Sequence, residues 1–187
     1  EPPADPLPLT PHCPPALSVE GTGPGSQIDT GPALFGFHPG NGQFGWYTPK
    51  NAGLTNRIGF RQGQENACHH NPDVWCYPRP WGHTSDWHCQ GTNSLTPTLT
   101  LQQGPLLWRL ERQGDMPYCD GVKTRVSYTL LAGLPLILES SSMEFTQPLV
   151  VYAVRNNELV FSRGLHTHAA YPDAGGEPVT VPAYDLK

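Results

Sequence analysis

The side chains best suited to chemistry are concentrated in one stretch of the sequence, from Glu65 to Gln90. Imidazole and thiolate groups are common ligands of transition metals, and tryptophan offers a large ring with one N–H donor. Three prolines interrupt the stretch and exclude a long helix, because proline removes a donor and clashes with the preceding turn. We therefore predict a loop that carries a binding site, since function concentrates on loops held by a rigid scaffold. The side chains concerned are His69, His70, His83, His88, Cys68, Cys76, Cys89, Trp75, Trp81 and Trp87.

A second group of histidines, His166 and His168, follows much later in the chain. If these residues continue a strand, they project to the same face, because alternate residues of a strand share a face. A histidine-rich loop and a His-x-His strand end can converge on one metal ion. Copper is the first choice because histidine-dominated sites suit it and its affinity heads the divalent series; zinc, calcium or no cofactor are the alternatives. The metal ligands predicted from the two groups are His83, His166, His168, His70 and His88.

Within the loop, Trp81-Gly82-His83 resembles the Trp-x-His element of the secreted copper-binding proteins of methane-oxidising bacteria. In that family an oxidised tryptophan (kynurenine) and two histidines hold copper. The resemblance implies that Trp81 is the modified ligand, that His83 is its neighbouring ligand, and that His166 or His168 is the distant third. It covers three residues and a general character, namely a secreted protein that is poor in regular structure.

Three other interpretations stay open. The histidines can be plain surface residues of loops. The aromatic residues also suit a carbohydrate-binding module or carbohydrate-active enzyme, and the protein can be a structural subunit of a cell surface or filament that docks through residues 1–34. A binding role is favoured over catalysis, because there is no Gly-x-Ser-x-Gly elbow and no two carboxylates are singled out. The rings suited to sugar stacking are Trp46, Tyr47, Trp75, Tyr77, Trp81 and Trp87.

The expected partners are a metal ion and, as an alternative, a glycan, the oligomeric state stays open, and the composition disfavours two other classes of partner. The net charge is −5 and no basic stripe is present, so we do not expect binding to nucleic acid. No apolar run approaches the ~20 residues of a membrane-spanning helix. The chain begins at Glu1 with no leader before it, which fits a secreted, periplasmic or cell-surface protein whose signal peptide has been removed.

Five cysteines in a loop-rich chain predict disulfides formed in an oxidising compartment. Two bridges leave one thiol over, and five choices of that thiol times three pairings give 15 arrangements of the five cysteines. A structural zinc site is the competing interpretation. It is disfavoured because no Cys-x-x-Cys pair occurs and because Cys68 and Cys76 are spaced more widely than the usual zinc knuckle.

The predicted fold class is all-β, a loop-rich antiparallel β-sandwich or barrel, disulfide-stapled, with almost no helix. Residues 1–34 are rich in proline and glycine, so we predict an N-terminal arm without a helix or central strand. Residues 35–187 are predicted to form a single β domain, because short runs with a period of two alternate with turn residues. The clearest predicted strands are Leu95–Leu101, Leu106–Arg112, Val122–Leu131, Leu134–Glu139, Leu149–Arg155 and Glu158–Arg163.

Turn chemistry predicts two hairpins. The aromatic runs Phe35–His38 and Phe44–Tyr47 flank an Asn-Gly turn, and we assign their rings to the core rather than to an exposed stacking platform. Arg155–Glu158 joins the runs 149–155 and 158–163 with residues that tolerate positive φ. In the run 122–131 the residues expected on the buried face are Thr124, Val126, Tyr128 and Leu130.

Overall fold

The computed structural model of the chain describes residues 15–50, 58–59, 68–70, 74–77, 88–89, 98–116, 119–151, 153–156, 160–161 and 168–182. Nearly all regular structure in these ranges is β, apart from a 3₁₀ turn at Gly23–Gly25. Every strand pair within these ranges is antiparallel. The predicted all-β antiparallel class is therefore confirmed.

The first sheet has five strands in sequential order, so each strand pairs with its neighbour along the chain. These strands are β1 (Ser18–Glu20), β2 (Gln27–Asp29), β3 (Ala33–Phe37), β4 (Phe44–Pro49) and β5 (Ile58–Gly59). β3 and β4 form the predicted aromatic hairpin. In its turn the N–H of His38 donates to the carbonyl of Gln43, and the N–H of Gly42 donates to the carbonyl of His38, each at 2.8 Å. Gly42 has a φ of +66°, which glycine adopts without strain.

A β-bulge in this hairpin sorts its side chains between the two faces of the sheet. Gly36 pairs with Trp46, but Phe37 pairs with Phe44, so Gly45 is the extra residue of β4. The extra residue changes the alternation of side chains along β4. As a result Phe44 faces the core while Trp46 lies on the opposite face.

Trp46 is the exception among the aromatic residues of the hairpin. It is partly buried, and its indole ring covers Gly36 so closely that a Cβ on Gly36 would overlap Cε2 of the ring. The other rings belong to the core or pack against it, as predicted for Phe35, Phe37, Phe44 and Tyr47.

The second sheet has four strands in the order β12-β11-β10-β9. They are β9 (Thr98–Gln103), β10 (Leu107–Asp115), β11 (Val122–Leu131) and β12 (Ile137–Phe145). β11 has the predicted bounds and exposes Lys123 and Arg125, while the predicted inner face is buried at Thr124, Val126, Tyr128 and Leu130. On β10 the residues Trp108 and Leu110 are buried. Leu106, the first residue of the predicted strand 106–112, precedes β10 and is 50% exposed, so the alternation that groups Leu106 with Trp108 and Leu110 on one buried face is wrong for Leu106.

The inner faces of the two sheets meet through aromatic rings. The ring centroid of Phe37 lies 4.7 Å from that of Trp108 and 5.4 Å from that of Tyr128. Phe44 also contacts Tyr128, at 6.2 Å between ring centroids. Tilted pairs at these separations are favourable aromatic contacts. The two sheets therefore share one core, and they pack face to face as in a β-sandwich.

The remaining strands form three small sheets. One has the order β13-β7-β8, the second pairs β14 with β6, and the third pairs β15 with β16. Their strands are β6 (Cys68–His70), β7 (Val74–Tyr77), β8 (His88–Cys89), β13 (Ala153–Asn156), β14 (Val160–Phe161), β15 (His168–Pro172) and β16 (Pro178–Pro182). The last pair is a hairpin whose turn is closed by Asp173, since its Oδ1 accepts from the N–H groups of Gly175 (2.8 Å) and Glu177 (2.9 Å).

The hairpin predicted between Leu149 and Arg163 is wrong. Its two halves became β13 and β14, but β13 pairs with β7 and β14 pairs with β6. The residues 155–158 permit a tight turn without enforcing one. Strands from the 65–90 loop supply the partners instead, so tertiary pairing overrides the local preference.

Part of the predicted N-terminal arm belongs to the first sheet. β2 lies between β1 and β3, and Ile28 on β2 is fully buried. The expectation that residues 1–34 contain no central strand is therefore wrong for residues 18–34. Strands form there because Pro24 lies in the 3₁₀ turn and Pro32 lies between β2 and β3, so neither interrupts a ladder. The predicted single domain of residues 35–187 stays a prediction.

Two cysteine side chains are described, Cys76 and Cys119, and both carry free thiols. The predicted disulfide staples are thus not seen in the part of the chain that the structure describes. Within the same ranges, no helix is long and apolar enough to cross a membrane.

Candidate functional site

The histidine-rich loop of residues 65–90 is tied to a distant part of the chain by strand pairing. β6 pairs with β14, which places His70 opposite Val160 and Cys68 opposite Phe161. β7 lies between β8 and β13 and is therefore hydrogen-bonded on both edges. Two of the small sheets thus join residues 68–77 to residues 153–161.

The predicted metal ligands fall into two groups. His70 ends β6, His88 begins β8 and His168 begins β15. His88 is the register partner of Cys76, and His168 is the register partner of Pro182. The side chain of His168 is exposed. The other predicted ligands lie outside the described residues, namely His83, His166 and Trp81.

The described residues do not bring three or more His, Cys, Asp or Glu side chains together in a way that could hold a metal ion. What the backbone does bring together is the start of the loop and the segment that leads toward His166. His70 lies opposite Val160, and His166 follows Val160 by six residues.

One pair of chemically active side chains does meet in the described residues. Cys76 on β7 and Cys119 in the β10–β11 connection are both buried in the common core, and their thiols lie within hydrogen-bonding reach of each other. Burial raises the pKa of the Cys76 thiol, although the hydrogen bond with Cys119 opposes this effect. Burial, followed by the hydrogen bond and the charge of Cys76 and by the charge of Asp120, raises the pKa of Cys119 to about 12. Both groups are therefore neutral thiols near neutral pH when they are reduced.

Sequence reasoning did not pair these two cysteines. Cys119 is 43 positions from Cys76 (119 minus 76) and lies in a connection with no metal or redox motif. The available signal was weak: Cys119 is an apolar residue in a turn region, and such residues often turn inward. Only the packing of β7 against the second sheet brings the two thiols together.

A buried cation lies in the same core. Arg112 on β10 continues the inward-facing positions of Trp108 and Leu110 and is 0% exposed. Its Nη1 donates a hydrogen bond to Oη of Tyr128 at 3.3 Å. A buried guanidinium is tolerated only when polar groups receive its N–H donors. Arg112 therefore lies on the buried face of β10 although its side chain is charged.

Comparison with protein-family models found no match, and comparisons with curated proteins and with solved structures found none either.

Proposed function

We propose that the protein binds a metal ion, copper first, and serves to store or deliver it. The site is assigned to the place where the 65–90 loop meets the segment that leads to His166 and His168. The observation that supports it best is the pairing of β6, which ends at His70, with β14, which precedes His166 and His168 in the chain.

The pairing of β7 with β8 adds to this argument. The two strands are adjacent and antiparallel, with Cys76 opposite His88. The chain between them, residues 78–87, begins and ends at neighbouring strands and contains Trp81 and His83. A connection anchored at both ends offers its ligands at lower conformational cost than a free segment.

The choice of copper follows from the donor types. Imidazole nitrogen suits copper, zinc, iron and nickel, and copper has the highest affinity of the divalent series at a given nitrogen site. Zinc is the second choice, and its usual tetrahedral site would need four ligands from the same histidines. Storage or delivery is proposed rather than catalysis, because the sequence contains no Gly-x-Ser-x-Gly elbow and singles out no pair of carboxylates.

The test is native mass spectrometry with elemental analysis of the full chain, purified without chelator. We expect one copper ion per chain, and we expect His83→Ala to weaken copper binding by at least about tenfold, because even outer-shell groups of metal sites have effects of that size. His38→Ala is the matched control: His38 lies in the β3–β4 turn, where its Nδ1 accepts the N–H of Gly40 at 3.2 Å, and its removal should leave copper binding unchanged.

Two results would count against the proposal. A metal-free protein that does not take up copper excludes copper as the cargo. Equal loss of copper from the His83 and His38 variants indicates general damage rather than loss of a ligand. The resemblance to the kynurenine-containing proteins has a separate readout, a Trp81 peptide in which one carbon atom has been replaced by one oxygen atom.

The second candidate function is glycan binding, and Trp46 is the residue that favours it. The indole lies over Gly36 on the face of the first sheet that points away from the core, and the residue is partly exposed. A flat ring in that position resembles the platforms on which sugars stack. A glycan array with the wild-type protein and Trp46→Ala separates this function from metal binding, since only a glycan site on the first sheet is sensitive to Trp46.

A further inference from the structure

Cys76 occupies a fixed position in the core. It lies on the central strand β7, where its backbone pairs with His88 on one side and with Val154 on the other. Its side chain is 0% exposed. Because β7 has a paired strand on each edge, the backbone at Cys76 has little freedom to move the thiol away from the core.

Cys119 is also held in place, although it lies in a connection. Its N–H donates to the carbonyl of Met116 (3.3 Å), and its carbonyl accepts from the N–H of Val122 (3.1 Å). The adjacent Gly121 accepts at its carbonyl oxygen from the N–H of Thr146 (2.8 Å) and from Oγ1 of the same residue (3.0 Å). The connection is thus tied to the chain that follows β12, and Cys119 points inward and is 2% exposed.

The packing of Gly121 shows how closely this connection is fitted. Gly121 has a φ of +80°, and a Cβ at this position would lie 2.5 Å from Cγ of Gln147. Gln147 in turn donates from Nε2 to the carbonyl of Asp120 at 3.1 Å. The side chain of Gln147 therefore covers Gly121 and adds a hydrogen bond that holds the backbone on the carboxyl side of Cys119.

Each thiol is thus carried by an anchored piece of backbone, and the two thiols contact each other inside the shared core. We propose that Cys76 and Cys119 are joined by a disulfide bond in the oxidised protein. The bond would link the sheet that holds the 65–90 loop to the second large sheet. It encloses 42 residues (119 minus 76 minus 1), a length at which a cross-link restricts the unfolded chain strongly.

The reaction is a thiol–disulfide exchange with a small-molecule disulfide such as oxidised glutathione. Two S–H bonds break and one S–S bond forms between the two Sγ atoms. The two protons and two electrons pass to the oxidant, whose own S–S bond is cleaved to give two thiols. The protein is oxidised by two electrons and the oxidant is reduced by two.

The burial of the two thiols determines when, in the course of folding, the disulfide bond can form. The thiolate is the attacking species, and both thiols have raised pKa values once they are buried. Exchange in the folded reduced protein is therefore slow. The bond is expected to form while the chain folds, when the thiols are still exposed to the oxidant.

A bond between Cys76 and Cys119 also reduces the number of possible pairings among the five cysteines. With Cys76 and Cys119 paired, the 15 possible two-bridge arrangements fall to three, because any two of the remaining cysteines can form the second bridge. Those remaining residues are Cys13, Cys68 and Cys89. The pairing does not depend on the proposed metal function, since it uses none of the predicted ligands.

The sequence allows a direct test by peptide mapping. An endoproteinase that cleaves on the amino side of aspartate places every cysteine in a different peptide: 5–28, 29–72, 73–85, 86–114 and 115–119. The full chain is refolded with oxidised glutathione, its free thiols are alkylated, and it is then digested without reduction. We expect peptide 73–85 linked to peptide 115–119, and we expect reduction to separate them.

Two variants provide the controls. In Cys119→Ala, peptide 73–85 should be recovered in alkylated form. Val122→Ala removes volume from a buried neighbour of Cys119 but keeps both thiols, so the linked peptide should persist at the yield of the wild-type protein. Reduction of the wild-type protein should lower its melting temperature by about 5–15 °C, as expected for loss of a native disulfide in a chain of this size.

The wild-type map decides the proposal even if a variant does not fold. Recovery of peptides 73–85 and 115–119 as separate alkylated species after oxidative refolding overturns it, and so does a link from peptide 73–85 to peptide 5–28, 29–72 or 86–114. In the first case the two residues are ordinary buried thiols that fill the core.

Discussion

The strands of the second large sheet are six to ten residues long and pair without a break in register, whereas the strands of the 65–90 loop are two to four residues long. In the sheet, each strand pairs with its neighbour along the chain. In the loop, the partners are distant: Val154 pairs with Cys76 from 78 residues away, and Val160 pairs with His70 from 90 residues away.

This contrast indicates that the large sheets provide most of the stability, whereas the short strands carry side chains suited to metal binding. Neighbouring strands close short loops and therefore order the chain at low entropic cost, while distant partners cost more before any contact forms. The large sheets accordingly hold most of the apolar core, and the short strands of the 65–90 loop hold three of the eight histidines and three of the five cysteines. If this division is correct, substitutions in the sheets should change the free energy of unfolding, and substitutions at the loop histidines should change metal binding with little effect on it.

The largest effect on the free energy of unfolding is expected for Trp108→Ala, a substitution in the centre of the core. Trp108 is 0% exposed, and its ring lies 4.7 Å from that of Phe37 across the two sheets. The substitution should lower the free energy of unfolding by about 3–5 kcal/mol, as measured by urea denaturation. Leu106→Ala, at a 50% exposed position next to the same strand, should cost less than about 1 kcal/mol. Similar costs for the two variants would show that the core does not dominate stability.

Much of this core could be predicted from the sequence because it obeys a simple period. On β11 the alternation of Thr124, Val126 and Tyr128 with charged residues gave the correct bounds and the correct inner face. The β-bulge was not foreseen, because one extra residue at Gly45 changes the pairing without changing the composition. The hairpin at 149–163 failed for a related reason: a turn motif reports a local preference, and the competing partners lay outside the window in which that preference was assessed.

An effect of intermediate size on the free energy of unfolding is expected when the buried side chain of Arg112 loses the hydroxyl group of Tyr128 as a hydrogen-bond acceptor. In Tyr128→Phe, Nη1 of Arg112 loses the hydroxyl to which it donates at 3.3 Å. A buried donor that loses its acceptor carries a desolvation cost, so the free energy of unfolding should fall by about 1–3 kcal/mol. Tyr171→Phe makes the same chemical change at a 46% exposed position on β15 and should change stability by less than about 0.5 kcal/mol.

Equal effects of the two tyrosine variants would mean that the bond between Tyr128 and Arg112 contributes little. A larger effect of Tyr128→Phe in the wild-type protein than in an Arg112→Met background would assign the energy to the pair itself, since a double-mutant cycle isolates the coupling.

The candidate site was predictable in composition but not in geometry. Residue types identified the 65–90 stretch, and strand pairing then anchored it beside residues 153–161, which no local pattern indicated. The contact between Cys76 and Cys119 depends on the packing of a small sheet against a large one. Contacts of this kind arise from tertiary structure, and a period or a spacing in one segment does not contain them.

The smallest effect on the free energy of unfolding is expected when the ion pair between Lys50 and Asp29, on the surface of the first sheet, is removed. Nζ of Lys50 lies 2.6 Å from Oδ2 of Asp29, and Oδ1 of Asp29 accepts the N–H of Gly31 at 2.8 Å. Burial alone would raise the pKa of Asp29, but the hydrogen bond from Lys50, the hydrogen bond from Gly31 and the charge of Lys50 together lower it below the ordinary value of 3.8. A carboxyl group whose pKa is lowered by folding stabilises the folded state when it is ionised.

The sign of the pH dependence follows from that shift. The contribution of Asp29 is fully present above its unfolded pKa and is lost as the pH falls through its lower folded pKa. Asp29→Asn can keep the contact with Gly31 but removes the charge, so at pH 7 it should lower the free energy of unfolding by only about 0.2–1 kcal/mol, because the pair is partly exposed and screened by solvent. Urea denaturation at pH 7 and in strong acid should show this difference shrinking as Asp29 becomes protonated. A difference that persists or grows in acid would assign the effect of the substitution to packing or to the turn, and the ion pair would then have no measurable part in the stability of the first sheet.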